Sequence, residues 1–376
     1  MGLYFSGLKR LSPLKDGDSR FTLFEKECVR LMMNVDVGVD AEIKRPGLAN
    51  TTAKLILGVA ALVVMFAAAM LFGAADTTLR DLWHVFFSQE QGDTVTMLRE
   101  IRLPREVAGI LVGSALAVSG TLMQGLTRNP LADPGLLGLT AGANCALALT
   151  ITMLPGTGYF GIMVACFIGA AAGTVIVLGI GAVKKGGLSP LRLVLAGSAI
   201  SAFLYAVSDG AGLIFKVSKD VTMWTAGGLI GTTWGQVQAI SPFIIVGIVI
   251  AVLLSRKVTI LSLNEEVAVG LGLRTVYVKL VLYTVITLLA GAAVALVGNM
   301  AFIGLMIPHI VRAMFGIDYR TVIPMSAIWG AVFMLLADTL ARTMNAPYET
   351  PVVAIIATIG LPFFLFIVRK GVKLTS

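Results

Sequence analysis

About ten apolar runs, each near the ~20 residues a helix needs to cross a bilayer, recur along this 376-residue chain. No other feature restricts the fold as much. In hydrocarbon every backbone N–H and C=O must be paired within the structure, so such runs span as helices. The expected fold class is an all-α polytopic membrane protein. Only 13% of residues are charged, against ~25% in soluble domains. The expected spans are 54–75, 106–126, 136–154, 160–183, 191–215, 237–254, 277–297, 307–315, 322–341 and 352–368. Residues 1–52 read as a polar N-terminal tail and 53–376 as the transmembrane domain, with a long polar loop between the first two spans. The stretch from Trp224 to Trp234 is too short and polar to span and reads as a re-entrant helix.

The formal charge of +8 does not point to nucleic acid, because the basic residues cluster at span ends. Counted from an internal N-terminus, Arg128, Lys184, Lys185, Arg256, Lys257, Arg274, Lys279, Arg312, Arg320, Arg369 and Lys370 fall on one side. The positive-inside rule then places both termini of a multi-pass protein in the cytoplasm.

Three polar interruptions stand out. Between two apolar runs, Ser255 to Lys279 carries Ser262-Leu263-Asn264-Glu265, a capping-box pattern that predicts a short helix start, with Asn264 as an alternative cap. Gly270 and Gly272 can close that helix, leaving Leu271 and Leu273 as apolar knobs that fit a partner's cleft or rest on lipid headgroups. The segments Asn129 to Gly135 and Gly298 to Pro308 break helices at corresponding positions on opposite faces. That arrangement suggests an inverted repeat and a transport pathway.

Chemistry is sparse. There is no Gly-x-x-x-x-Gly-Lys-Ser/Thr motif, so nucleotide energy would come from another subunit. The only histidines, His84 and His309, are far apart in sequence, and Cys28, Cys145 and Cys166 have neither metal nor disulfide spacing. No catalytic set, metal site or cofactor of this chain is expected. Ionisable residues inside spans need partners: Asp338 and Arg342 stand four apart and can pair, whereas Asp209 has no local partner and could line a conduit or carry protons. Arg102 and Arg105 can snorkel to headgroups or capture a partner's carboxylates.

Taken together, the motifs resemble the FecCD family of ABC importer permeases. The carrying residues are Arg102-Leu103-Pro104-Arg105; Gly120 to Gln124 with Asn129 to Gly135, Gly138 and Gly142; Gly227-Gly228; Leu263 to Glu266 with Ala268 and Leu271 to Leu273; Phe302 to His309 with Arg312; and Asp338, Arg342, Glu349 and Pro351. The resemblance implies about ten transmembrane helices in a BtuC-like permease fold with inverted repeats. It also implies a second permease subunit (a related paralogue or a second copy), two ABC ATPases holding ATP-Mg, and an external substrate-binding protein. By the same resemblance 262–275 forms cytoplasmic coupling helices, with Ser262, Leu263, Asn264, Glu265, Glu266, Ala268, Leu271, Gly272 and Leu273 docking on the ATPase. Arg102, Arg105 and Arg342 would meet acids of the binding protein, and Asn129 and Leu131 would belong to a cytoplasmic gate. The expected function is translocation of a ferric siderophore. The alternatives are haem or vitamin B12 as cargo, and a proton-coupled secondary transporter using Asp209.

Overall fold

The computed structural model describes residues 48–73, 77–87, 92–182, 190–226, 228–263, 265–346 and 348–369. Most of the expected tail, Cys28, Lys184, Lys185, Gly227, Asn264 and Lys370 lie outside the described residues. Each expected span holds a helix among the described residues, which contain no strand. In chain order the helices are α1 (Leu48–Leu71), α2 (Leu79–Phe87), α3 (Asp93–Met97), α4 (Leu103–Thr127), α5 (Leu139–Met153), α6 (Tyr159–Ala182) and α7 (Pro190–Ile214). They continue as α8 (Ser218–Ala226), α9 (Trp234–Leu263), α10 (Glu265–Gly270), α11 (Thr275–Val297), α12 (Ile303–Phe315), α13 (Tyr319–Thr343) and α14 (Val352–Arg369). Eight are long and apolar enough to cross a membrane, while α5 and α12 are shorter apolar helices that complete the expected ten.

Helix α4 is the axis of the bundle. Most of its residues are buried, and it packs against α9, α11, α12 and α13. Its neighbours reach it through glycine. A Cβ on Gly113 would overlap the carbonyl of Gly330 on α13, one on Gly330 would overlap the carbonyl of Gly113, and one on Gly120 would overlap Gly304 of α12. Helices α5 and α6 meet in the same way at Gly142 and Gly169. Lipid supplies no hydrophobic force between helices, so close backbone approach is what allows dispersion contacts to hold them together. The pairs Gly125 with Tyr319 and Gly113 with Gly330 show that α4 and α13 run antiparallel.

Three expectations require correction. The loop before α4 is largely helical: α2 and α3 close a small core of Met70, Val85, Val95 and Leu98. A single π turn, Leu98–Arg102, joins α3 to α4, with the Leu103 amide donating to Leu98 O. Pro104 has no N–H for the carbonyl one turn back, and the wider turn absorbs that loss. The exposed Leu79, Trp83, Phe86 and Phe87 of α2 suit a membrane interface, where aromatics concentrate. Second, α9 does not stop at Leu254. It runs 30 residues to Leu263, about 45 Å, and so carries Ser255, Arg256 and Lys257 on a continuous helix. Third, residues 224–234 are not one re-entrant helix: α8 ends at Ala226, turns follow through Gly228 and Gly231, both at positive φ, and Trp234 opens α9.

The glycine contacts generate a test. Replacing Gly113 by Val should overpack the α4–α13 crossing and cost about 1–3 kcal/mol, lowering the thermal midpoint in detergent. Gly235→Ala, where a Cβ meets nothing within 4 Å, should leave the midpoint unchanged or raise it.

Candidate functional site

At one end of the bundle, α9, α10 and the start of α11 build the expected coupling segment, by a different route from the capping box. Ser262 Oγ donates to Thr259 O at 2.8 Å inside the last turn of α9, so it caps nothing. Glu265 instead receives Lys279 Nζ at 2.5 Å and lies 3.8 Å from Arg128 Nη2. The Lys279 hydrogen bond, chiefly, holds its carboxyl below the usual carboxylate range. Helix α10 ends in a Schellman motif: the Leu273 amide donates to Ala268 O and the Gly272 amide to Val269 O. Only Gly272, at φ 79, takes the left-handed conformation; Gly270 stays helical. The close leaves Ala268 buried and Leu273 partly buried against the core, while Leu263, Val267, Val269 and Leu271 stand exposed as an apolar knob. Glu266 lies in the first turn of α10.

The break after α4 begins at the same end. Arg128 caps α4 at φ 53, and the Asn129 carboxamide oxygen accepts from the Leu131 amide at 3.0 Å, an Asx turn that redirects the chain. Leu131 lies in a small apolar pocket with Phe302, Leu305 and Phe363. Phe302 has φ 68, a conformation that disfavours side chains, and Gly360 provides the space for its ring. Arg128 meeting Glu265 brings the end of α4, next to the expected gate residues Asn129 and Leu131, to the start of α10 in the expected coupling segment.

Deeper in the bundle the two helix breaks meet. A cavity of about 220 Å³ is lined by Asp133, Pro134, Thr140, Ser201, Tyr205 and Asn299, with Met300, Ala301 and Gly304 completing the second break. Asp133 caps the 3₁₀ turn Pro134–Leu137, accepting from the Gly135 amide at 2.7 Å. Each break follows a long buried helix (α4 or α11) and precedes a short one (α5 or α12), the pattern expected of paired repeats. Beside α12, Gln124 Nε2 donates to the carbonyls of Gly304 and Leu305, and Gln124 Oε1 accepts from Arg312 Nη2 at 2.5 Å.

The far end of α4 carries a buried ion network. Arg105 donates to both Asp338 oxygens, with Nη2–Oδ1 at 2.8 Å, and through Nη1 to Glu349 at 2.9 and 3.0 Å. Arg342 Nη2 reaches Glu106 Oε1 at 2.5 Å, and its Nε lies 3.0 Å from Asp338, the expected pairing four residues apart. Arg102 donates to Met70 O and Thr77 Oγ1. The three arginines are only 7%, 8% and 4% exposed (Arg102, Arg105, Arg342), and internal carboxylates and backbone carbonyls occupy them. Glu106, fully buried, entered the sequence analysis only as a span boundary. A carboxylate directly after Arg105 at the start of an apolar run was the signal for it. Among the described residues no cluster of ligating side chains could hold a metal ion.

A family model described as the FecCD transport family matches residues 61–370. The chain is 43% identical, over 84% of its length and 83% of the relative's, to the iron(3+)-hydroxamate import system permease protein FhuB of Bacillus subtilis. It is 39% identical to the Fe(3+)-citrate import system permease protein YfmD of the same organism, over 80% of this chain and 89% of that one. It is 37% identical to the hemin transport system permease protein HmuU of Yersinia pestis, over 82% and 93%. Among solved structures, a metal-chelate type ABC transporter in an inward-facing conformation superposes with a TM-score of 0.74 at 24% identity, covering 85% of this chain and 99% of that one.

Because breaking a buried pair strands a charge, Arg105→Ala should destabilise the purified protein by about 3 kcal/mol or more. The exposed Arg128→Ala should cost ~0–1 kcal/mol. Thermal unfolding in detergent separates the two.

Proposed function

The chain belongs to the FecCD transport family, and we propose that it is the transmembrane permease subunit of an ATP-driven importer carrying a ferric siderophore across the bacterial cytoplasmic membrane. The observation that carries the cargo assignment is the 43% identity, over 84% of the chain, with an iron(3+)-hydroxamate permease. The basic residues at span ends support cytoplasmic termini and a cytoplasmic coupling segment. ATP-Mg is bound and hydrolysed on two partner ATPases. A second permease subunit completes the pathway, and an external binding protein delivers the chelate.

In this reading the exposed Leu263, Val267 and Leu271 seat against an ATPase, with Ser262, Asn264, Glu265, Glu266, Ala268, Gly272 and Leu273 shaping that contact. Reversing a 1:99 inward/outward balance takes about 5.5 kcal/mol. Surface ion pairs contribute ~0–1 kcal/mol each, so packed apolar contact is the stronger conduit. Asn129 and Leu131 form the cytoplasmic gate, which the Arg128–Glu265 contact ties to the coupling segment. At the outer end the binding protein engages Arg102, Arg105 and Arg342 by exchange, its carboxylates displacing first Glu349, the most exposed acid of the network at 31% of its side chain.

Reconstitution of the permease pair, ATPases and binding protein in proteoliposomes tests the reading. The expected result is ATP-dependent uptake of a ferric hydroxamate chelate. Uptake of haem instead would keep the machine and change the cargo. Uptake driven by a proton gradient without the ATPase would overturn the proposal. In the same assay Leu271→Asp should leave folding intact and reduce uptake to background.

A further inference from the structure

Asp209 takes no part in the coupling segment, the cavity or the ion network. Its side chain is exposed on α7, and it makes no hydrogen bond or ion pair among the described residues. It lies about 10 Å along the helix axis before Lys216, behind a helix end that exposes Leu213 and Ile214. A carboxylate held behind such an apolar rim is unfavourable against lipid tails, so its face must meet water. The stripe it belongs to points the same way. Steps of four, three and four residues align Ser198, Ala202, Tyr205 and Asp209; Ser198 and Ala202 are small and exposed, and Tyr205 lines the cavity where the two helix breaks meet.

We propose that this stripe of α7 continues the cavity wall into the water-filled conduit that cargo crosses, and that Asp209 selects ferric chelates by charge, admitting neutral and cationic complexes over anionic ones. The inference rests on the proposed function and narrows its substrate class. Ferric iron bound by three hydroxamates is neutral, a free amine on the ligand makes the complex cationic, and three catecholates leave it anionic. Lys216 and Lys219 lie beyond the end of α7, where salt screens charge within about 8 Å. Asp209 stands between that end and the cavity-lining Tyr205, where cargo in the conduit passes its charge at short range.

The test uses one linear ferric trihydroxamate in three forms: free ammonium, acetylated and succinylated. Uptake is measured in cells expressing the whole importer. The wild type should take up the succinylated form about tenfold more slowly than the acetylated one. Asp209→Asn should bring the two rates close together and Asp209→Lys should reverse their order. Any preference of the binding protein cancels in the ratio of variant to wild type. An unchanged ratio in both variants, at normal abundance in the membrane, overturns the proposal. So does failure of a membrane-impermeant maleimide to label a transport-competent Asp209→Cys variant; labelling supports it. If the wild type imports no ferric chelate with ATP, the proposed function falls first and this inference with it.

Discussion

Backbone-to-backbone contact at glycine holds this molecule together. Hydrocarbon offers helices no reason to associate beyond close packing and the pairing of polar groups. Helix α4 meets both conditions, with Gly113 against Gly330, Gly120 against Gly304 and Gly125 against Tyr319 along one helix. Those contacts fix the distance of α12 and α13 from α4 to within a side chain. Only at that spacing can Gln124 reach the carbonyls of Gly304 and Leu305 at 3.2 and 3.3 Å, and Ser114 Oγ the carbonyl of Ala327 at 2.8 Å. The buried arginines close the same helix pair at its other end. Arg105 and Glu106 are consecutive on α4 yet bind Asp338 and Arg342, four apart on α13. One turn of each helix is therefore cross-linked twice.

That rigidity sets where the chain can bend. Helix α12, 13 residues or about 20 Å long, is too short to span, and Gly304 in its first turn abuts the middle of α4. The backbone groups freed by the two breaks face a cavity within the protein, as irregular backbone at membrane depth must. Phe302 adds about 1–3 kcal/mol of conformational strain at that point, which the Gly360 notch and the pocket shared with Leu131 offset. The strained residue thus lies within the second break, in the pocket that it shares with Leu131 of the first.

How much of this was legible in the sequence depended on which force set each feature. Helix positions followed hydropathy, and each of the ten expected runs holds a helix among the described residues, eight of them long enough to cross a membrane. The end of α9 did not, because Ser255, Arg256 and Lys257 are ordinary helix residues once the helix leaves lipid, and polarity marks the membrane boundary rather than the helix boundary. The Ser262–Glu265 capping box was misleading for a similar reason: α9 already occupied Ser262, and Lys279, fourteen residues on, drew Glu265 away. The Asp338–Arg342 pair was legible from its four-residue spacing, but its partners Arg105 and Glu106, more than 230 residues away, were not. Local periodicity carries no information about such contacts. The same limit let Arg102 and Arg105 read as headgroup or partner contacts, although Asp338, Glu349, Met70 O and Thr77 Oγ1 accept from them within the protein.

Under the proposed function, a push from the ATPase at α10 has to reach the cavity. Exposed apolar residues on α10 have no covalent lever on the pathway, and the segment itself is only six residues long. Its mechanical links are Glu265, bonded to Lys279 on α11 and near Arg128 at the end of α4, and Thr259 on α9, which accepts from the Tyr319 amide and donates to Asp318 at the start of α13. Each link meets a helix that touches the cavity or is glycine-locked to one that does. Individually these exposed contacts contribute ~0–1 kcal/mol. Acting through packed helices with no compressible space between them, they move whole helices together. Under the proposed function, a displacement at α10 would pass through these links to α4 and α11, the two helices that end at the breaks lining the cavity shared by Asp133 and Asn299.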